Sequence, residues 1–287
     1  MLWYRKTGLT PNIEVPLRRT GLNGILAVDL YLILFSLMIT LFDLAAKAPI
    51  KCWSPYAWKA RYVLNMKNIP YTTAWVDYPD LEPESKKAGV KPSNIKKRDG
   101  NPWYTCPAIV DDSTGTAIPD SFEIALYLDK QYPNTPRAIP EGMEGLQKAF
   151  EEQFMDLLQP TIWVLIVSKV PAFLNPSSAK YFYDTRSAFL GKPLEQLAVD
   201  PEERKQLWAK IKGSFDKLDG YYAKTDSAGP FFMGQTVSFA DFTVAGMLRS
   251  VKICLGSDSE EWKAIEEWNG GRWKALIDNL EPYASEN

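Results

Sequence analysis

The sequence predicts an α/β domain followed by an all-α domain. Short apolar runs alternate with segments of helical spacing up to residue 132, and beyond residue 143 the apolar residues recur at spacings of three and four. Between these regions, residues 133–142 contain three prolines and one glycine, a composition typical of a linker. A chain of 287 residues is long enough for two domains. We therefore expect the α/β domain over residues 38–133 and the helical domain over residues 143–282.

Each element of the first domain is predicted from the period of its apolar residues. In chain order these elements are a strand over residues 38–44, a helix over 55–67, a strand over 71–76, a hairpin over 107–118 and a helix over 121–132. Pro133 ends the last helix. The order βαβ and then ββα is typical of a thioredoxin-like α/β unit.

The second domain is predicted to contain six helices, because apolar residues repeat at helical spacing in six segments. These segments are residues 145–158, 161–170, 181–190, 201–224, 239–255 and 262–279. Cys254 falls within the apolar pattern of the fifth segment, so we expect it to pack in the core.

The composition excludes several classes of function. The chain contains no histidine, which removes Ser-His-Asp and Cys-His catalytic pairs, histidine metal sites and histidine general bases. Its three cysteines, Cys52, Cys106 and Cys254, form no CxxC pair. Neither a metal site nor a disulfide framework is therefore expected, and a reducing cytoplasm is the predicted location. A net charge of -2 gives no reason to expect nucleic acid as a partner.

The amino-terminal segment is predicted to lie outside this fold. Residues 1–24 are basic and rich in turn formers, and residues 25–44 are almost wholly apolar but contain Asp29 and Asp43. A membrane span needs about 20 apolar residues, and an Asp inside it costs roughly 2.5 to 3.5 kcal/mol. We expect residues 1–37 to be an appendage or an upstream misread start, with a signal anchor and an ordered extension as alternatives. A membrane is expected as a partner only if residues 25–44 form an anchor.

Ser54 and Pro55 stand at the predicted start of the first helix. Proline suits the first helical position because its missing N–H is not needed there, and serine is a good N-cap. Taken alone, this pair is a structural cap. A helix N-terminus also carries partial positive charge, and this one follows the first strand of the sheet, where such folds bind ligands. The pair is therefore a candidate site for an anion such as a thiolate.

Two further motifs precede later elements. Cys106-Pro107 comes before the hairpin strand, where a cis peptide bond would turn the Cys106 main chain outward as a donor and acceptor for a peptide; an ordinary trans proline is the alternative. Asp120-Ser121 opens the last helix of the domain. There Ser121 and its N–H can hold a carboxylate and Asp120 can hold an ammonium group, or the pair is only a helix cap.

These motifs, together with a fourth, resemble those of the cytosolic glutathione transferases. The fourth is the run QTVSFADF, in which Ser238 and Asp241 have the spacing of a capping box. The resemblance covers residues 38–280 and implies the glutathione transferase fold, a thioredoxin-like N-terminal domain followed by an all-α C-terminal domain. The run SPYAWK and the long insertion over residues 78–103 are most similar to the fungal class related to bacterial lignin β-aryl etherases.

The resemblance also implies a role for each motif. Ser54 would donate its hydroxyl to the sulfur of the co-substrate glutathione, and Cys106, ahead of a cis Pro107, would pair its main chain with the cysteinyl part. Asp120 and Ser121 would hold the γ-glutamyl end. One donor plus a helix N-terminus can lower a thiol pKa from about 8.5 toward neutrality. The thiolate would attack a small hydrophobic, aromatic electrophile in a detoxification reaction, with etherase-like or peroxidase side activity. The family's usual homodimer is expected on the same ground.

Two other functions stay open. Cys52 could form a mixed disulfide in a glutathione thiol–disulfide oxidoreductase cycle, although it stands two residues before the position that the catalytic cysteine takes in such classes. The protein could instead hold aromatic ligands without catalysis, because fold does not decide function.

Aromatic and basic residues complete the set of candidates. Trp53 and Tyr56 are expected near the site. The aromatic residues that could line an apolar acceptor pocket are Trp53, Tyr56, Trp58, Trp163, Phe173, Tyr181, Phe182 and Tyr183. Six basic residues and no acidic one lie between Lys86 and Arg98, and they could receive the glycine carboxylate of glutathione or simply form a solvated loop.

Overall fold

The structure is a computed structural model that describes residues 38–97, 100–197, 200–225 and 228–286. The appendage predicted over residues 1–37 lies outside the described residues. Within them, a domain built on a mixed sheet precedes a helical domain, which confirms the predicted fold class. No helix in these ranges is long and apolar enough to cross a membrane.

The first domain is built on a four-stranded mixed sheet. The strands of the domain are β1 (Ile39–Leu44), β2 (Tyr71–Val76), β3 (Ser93–Lys96), β4 (Pro102–Trp103), β5 (Ala108–Asp111) and β6 (Thr116–Pro119). The sheet has the order β2-β1-β5-β6, and β3 pairs with β4 in a separate ribbon. β1 is parallel to β2 and antiparallel to β5, and it is buried almost throughout, as its continuous apolar run predicts.

Three helices accompany these strands. They are α1 (Pro55–Met66), α2 (Leu81–Lys87) and α3 (Ser121–Gln131). The predicted strands, hairpin and helices of this domain are all present, with bounds within one residue of the predicted ones. Helix α2 and the β3–β4 ribbon lie within the long insertion, for which the sequence predicted no internal structure.

The strand register brings three chain segments to one edge of the sheet. Phe42 near the end of β1 pairs with Ala108 at the start of β5, which in turn pairs with Pro119 at the end of β6. The loop that leads from β1 to α1, the segment before β5 and the start of α3 therefore meet at this edge. Each of the three motifs found in this domain lies on one of these segments.

The second domain is helical, and three of its elements depart from the prediction, one of them a helix that begins at Pro176 and not at the predicted residue 181. Its helices are α4 (Glu144–Ile166), α5 (Pro176–Leu190), α6 (Pro201–Tyr222), α7 (Phe239–Leu255) and α8 (Glu260–Leu280), and a 3-10 segment (Val167–Phe173) follows α4. The break predicted between residues 158 and 161 is wrong, because α4 continues through Pro160. Phe154, Leu158 and Ile162 are all buried, so packing of one continuous apolar face outweighs the hydrogen bond lost at the proline.

Helix α8 also differs from its prediction as one regular helix. Its backbone leaves helical conformation at Trp268, and positive φ angles follow at Asn269, Gly270 and Gly271. Two adjacent glycines allow this left-handed turn at little steric cost. The turn places Trp268 against Trp208 and Phe215 of α6, with ring centroids 4.8 and 5.5 Å away.

The two domains pack closely at Gly246 of α7. A Cβ atom built on Gly246 would lie 2.6 Å from the Pro55 carbonyl oxygen and 3.2 Å from the Trp58 Cβ. No real side chain tolerates the first distance, so a glycine is required where α7 crosses the first turn of α1. This contact fixes the position of the segment that begins at Ser54.

We predict that Gly246→Ala lowers the free energy of unfolding by about 1 to 3 kcal/mol, because the added methyl group meets main-chain atoms that cannot move aside. Urea denaturation followed by tryptophan fluorescence measures this change. Gly213→Ala on α6 is the matched control, because a Cβ there meets nothing within 4 Å. The control should raise stability by about 0.5 to 1 kcal/mol, and equal effects of the two changes would contradict the prediction.

Candidate functional site

Ser54 caps the N-terminus of α1 as predicted. The Ala57 N–H donates to the Ser54 Oγ over 3.4 Å, which is long for a capping bond, and Ser54 is 2% exposed. Pro55 occupies the first helical position. Within the described residues, the Ser54 hydroxyl has no acceptor for its proton. The cap therefore uses one lone pair and leaves the O–H donor available at the positive end of a 12-residue helix.

Cys52 lies close to this serine but is closed to solvent. Its side chain is 1% exposed, and burial raises the pKa of the Cys52 thiol to about 12. Its carbonyl oxygen accepts a hydrogen bond from the Trp58 indole N–H over 2.6 Å. A thiol in this state is neutral at physiological pH, and it therefore lacks the nucleophilicity that a disulfide cycle requires.

The Cys106–Pro107 peptide bond is cis, as the sequence suggested. The Cys106 Sγ donates to the Phe42 carbonyl oxygen over 3.0 Å, and burial raises the pKa of this thiol well above its usual value. Outside the strand ladders, the Cys106 main chain forms no hydrogen bond with a described residue. The Cys106 main chain, and not its sulfur, is thus left without a described partner at the edge of the sheet.

Asp120 and Ser121 lie beside this peptide. The Asp120 N–H donates to the Pro107 carbonyl oxygen over 3.2 Å, which ties the two motifs together. Asp120 has a φ of 73° and caps α3, because its Oδ1 accepts from the N–H groups of Phe122 and Glu123 over 2.8 and 3.3 Å. Its second carboxylate oxygen has no described partner, and Ser121 is 3% exposed at the helix start. Asp120 can therefore cap α3 and still leave one carboxylate oxygen for a ligand.

A chain of charges from the second domain approaches this end of the site, and sequence reasoning did not find it. Glu151 of α4 accepts from Lys148 over 2.8 Å and from Lys59 of α1 over 2.5 Å. Burial lowers the pKa of Lys148, but Glu151 and the Asp120 carboxylate raise it above its usual value. Only the spacing of Lys148 and Glu151 along one helix was visible in the sequence. Their nearness to Asp120 depends on how the domains pack.

A wall of aromatic residues, which we call the aromatic wall, adjoins Ser54. It consists of Trp53, Tyr78, Trp163, Phe173, Tyr181 and Phe182. The Trp53 ring centroid lies 5.4 Å from that of Phe173 and 6.4 Å from that of Phe182. Tyr78 stacks on Tyr181 at 5.7 Å. Trp53 adjoins Ser54 in the chain, but at 2% exposure it is buried together with Phe173 and Phe182, and only Tyr78, Trp163 and Tyr181 of the wall are partly exposed.

Other aromatic candidates have different surroundings. Tyr56 is half-buried, and its hydroxyl accepts from the Gln159 side chain over 3.4 Å. Trp58 is 1% exposed and packs on Tyr62, so it belongs to the core. The Tyr183 hydroxyl donates to Glu195 at the exposed surface. Tyr78, which the sequence marked only as the start of the insertion, takes a place in the wall.

The basic run is largely exposed to solvent, but it is not a loop throughout, because Lys86 and Lys87 end α2 and Lys96 ends β3. Lys86 and Lys97 both pair with Glu82, and Lys87 pairs with Glu84, in largely exposed ion pairs. Arg98 lies outside the described residues. Surface depressions of about 440 and 430 Å³ lie elsewhere, beside Pro136 and beside Trp75, and neither includes Ser54.

Cys254 is confirmed as a core residue. Its side chain is 9% exposed, and burial raises the pKa of its thiol to about 12. No group of three or more cysteine, aspartate or glutamate side chains that could hold a metal ion occurs in the described ranges.

Comparison with known proteins identifies a family for both domains. Residues 53–131 match the family model for the glutathione S-transferase N-terminal domain, and residues 145–283 match that for the C-terminal domain. The glutathione S-transferase-like protein ustS of Aspergillus flavus is 30% identical over 251 residues, which cover 82% of this chain and 87% of that protein.

Two solved structures of fungal enzymes are similar along most of the chain. The glutathione S-transferase CsGST63524 of Ceriporiopsis subvermispora, in complex with glutathione, superposes with a TM-score of 0.83 at 38% identity, covering 87% of this chain and 99% of that one. Glutathione transferase GSTFuA3 of Phanerochaete chrysosporium gives 0.82 at 33% identity, covering 87% and 98%. With both domain models matched in order and relatives similar over most of their length, the chain belongs to the glutathione S-transferase family.

Proposed function

We propose that the protein joins glutathione to small hydrophobic, aromatic electrophiles, and that Ser54 stabilises the glutathione thiolate. The observation that carries this proposal is the Ser54 hydroxyl, which is buried at the N-terminus of α1 and donates to no described group. A donor in that position favours a negative sulfur through both its hydrogen bond and the helix dipole. Burial of Cys52 and Cys106 favours a sulfur supplied by the ligand over one from the protein.

The three motifs suit the sulfur, the cysteinyl main chain and the γ-glutamyl end of glutathione. The Cys106 main chain, which has no described hydrogen-bond partner outside the strand ladders, would pair with the main chain of the cysteinyl residue. The Ser121 N–H and hydroxyl would receive the γ-glutamyl carboxylate at the start of α3. The free oxygen of Asp120 would accept from the γ-glutamyl ammonium group. The similar enzyme from Ceriporiopsis subvermispora was crystallised with glutathione, which supports the same co-substrate here.

The reaction needs no histidine. Ser54 holds the sulfur by donation from its hydroxyl, and the thiol proton passes to solvent. The sulfur forms a C–S bond with the electrophilic carbon of the acceptor. If that carbon carries a halide, the C–halide bond breaks and the halide leaves with the bonding electrons. The N–H groups at the start of α1 and the Ser54 hydroxyl thus lower the thiol pKa.

The acceptor and the setting belong to the same proposal. The aromatic wall beside Ser54 suits a flat apolar acceptor. The proposal also includes a role in detoxification, an etherase-like or peroxidase side activity, a homodimer and a cytoplasmic location. They are supported by the family resemblance and by the fungal origin of the similar enzymes.

The direct test is an assay of the purified protein with glutathione and chlorodinitrobenzene, with the thioether product identified by mass spectrometry. Formation of the thioether is expected. If glutathione becomes attached to Cys52 and no thioether forms, the disulfide cycle is favoured instead. If no glutathione chemistry occurs but aromatic dyes bind tightly, the ligand-holding function is favoured.

The role of Asp120 gives a second prediction. Asp120→Asn should keep the cap of α3 and its positive φ, because asparagine is a good N-cap residue and tolerates a positive φ. The substitution removes the negative charge. We expect the KM for glutathione to rise about 10-fold, since hydrogen bonds to charged groups contribute about 1.5 to 3 kcal/mol. Steady-state kinetics at varied glutathione measure this change.

Asp200→Asn is the matched control for Asp120→Asn. Asp200 caps α6 with two hydrogen bonds of the same kind, from the N–H groups of Glu202 and Glu203 over 2.9 Å. It lies outside the site, so its replacement should leave the KM unchanged. An unchanged KM in both variants would remove Asp120 from the proposed binding site.

A further inference from the structure

Arg186 of α5 packs its guanidinium on the aromatic wall. Its Cζ lies 5.1 Å from the ring centroid of Tyr78 and 4.7 Å from that of Phe182. Both of these rings also contact Trp53, with centroids 6.3 and 6.4 Å apart. The guanidinium thus places a positive charge on the aromatic wall, whose member Trp53 directly precedes Ser54 in the chain.

The charge of Arg186 also reaches the hydroxyls at this part of the site. Burial raises the pKa of Tyr56 to about 12 and raises that of Tyr78 above its usual range, and in both cases the positive charge of Arg186 acts in the opposite direction. Tyr56 follows Pro55 in the first turn of α1. Arg186 is therefore near α1 as well as near the insertion that carries Tyr78.

No carboxylate in the described ranges neutralises Arg186. Its one side-chain hydrogen bond is to the Thr185 hydroxyl oxygen, over 2.8 Å. The acidic side chains nearest to it along the chain have other partners: Asp184 pairs with Lys180, and Glu195 accepts from Tyr183. A guanidinium has five N–H donors, so a planar set of donors on the wall is left for a ligand.

We propose that Arg186 binds the carboxylate of the acceptor, so that aromatic electrophiles bearing a carboxylate are preferred over uncharged ones. This inference rests on the proposed function and narrows its acceptor class. The planar guanidinium matches a carboxylate in two parallel hydrogen bonds, and stacking on two rings holds it ready for that geometry. The ring of the acceptor would lie against the partly exposed rings of Tyr78 and Tyr181, with its reactive carbon toward Ser54.

Binding of chloronitrobenzoate and of the uncharged chloronitrobenzamide tests this proposal. Both compounds are titrated into the full-length protein without glutathione, and the dissociation constants come from calorimetry. The two ligands differ chiefly in one negative charge. We expect Arg186→Gln to lower the preference for the benzoate about 10-fold, since a charge-assisted pair of hydrogen bonds is lost. Arg186→Lys keeps the positive charge but lacks the planar pair of N–H donors, so it should lose less of this preference.

Lys180→Gln is the matched control, because it removes one positive charge from the same helix at a side chain that is 78% exposed. It should leave the preference unchanged. If Arg186→Gln and Lys180→Gln have equal effects, or if wild type shows no preference for the benzoate, Arg186 does not select the acceptor and the inference is overturned.

Turnover with glutathione separates this inference from the proposed function. Loss of benzoate conjugation in Arg186→Gln, with amide conjugation retained, supports both. If wild type conjugates neither compound while the calorimetric preference still depends on Arg186, the transferase proposal is contradicted and the carboxylate site stands. If both compounds are conjugated and Arg186→Gln slows them equally, the transferase proposal stands and the carboxylate site is contradicted.

Discussion

Replacing Ser54 by alanine is expected to lower kcat/KM for glutathione conjugation about 10-fold to 100-fold near neutral pH. A hydrogen bond to a charged partner contributes about 1.5 to 3 kcal/mol, and each 1.4 kcal/mol corresponds to a factor of ten. The loss should shrink as pH rises, because the free thiol ionises without help above its own pKa of about 8.5. Steady-state kinetics over a range of pH measure both effects.

Two control variants separate this catalytic effect from other causes. Ser259→Ala removes the N-cap of α8, where the Trp262 N–H donates to the serine oxygen over 3.2 Å, and it should cost about 1 kcal/mol of stability with no loss of activity. Cys52→Ala removes the buried thiol and should keep activity within about twofold, since a neutral thiol is a poor nucleophile. If activity survives in Ser54→Ala and disappears in Cys52→Ala, then Cys52, and not Ser54, is the catalytic residue.

Replacing Asp241 by alanine is expected to lower the free energy of unfolding by about 3 to 5 kcal/mol. The Asp241 carboxylate is fully buried and accepts four hydrogen bonds. They come from the Phe232 N–H (2.8 Å), the Ser238 N–H (2.9 Å), the Ser238 hydroxyl (3.1 Å) and the Tyr222 hydroxyl (3.1 Å). Without the carboxylate, these donors stay buried with no acceptor, which is the costly outcome for a polar group.

Urea denaturation at pH 7.5 is suited to this measurement. Burial raises the pKa of Asp241 to about 6, so the wild-type side chain is ionised at that pH and accepts all four bonds. Asp200→Ala removes an exposed cap and should cost only about 1 kcal/mol. Equal losses in the two variants would show that the buried network around Asp241 contributes no more than a surface cap.

The sequence predicted those features whose causes are local. Ser54, Pro55 and the capping box at Ser238 depend on residues within one helical turn, and all take their predicted positions. The apolar periods placed the strands and α1 correctly because side-chain burial follows backbone geometry directly. The bond before Pro107 is a further success, although the motif order of the family, and not a local rule, indicated the cis form.

Features that depend on distant contacts were missed. Pro160 predicts a helix break by local rules, but the buried face on both sides of it keeps α4 continuous. Lys148 and Arg186 were not singled out from the sequence, because Asp120 and Tyr78, which lie near them, belong to the other domain. A single sequence contains no signal for such pairs, since only the packed domains bring them together.

The thiol pKa of bound glutathione tests the central claim most directly. Titration of the thiolate by its ultraviolet absorbance, in the wild-type complex and in Ser54→Ala, should show a pKa at least about one unit below the free value of about 8.5 in the wild type and a return toward that value in the variant. A bound thiol that titrates at the free value in wild type, or one whose lowered pKa survives in Ser54→Ala, would contradict the role assigned to this hydroxyl.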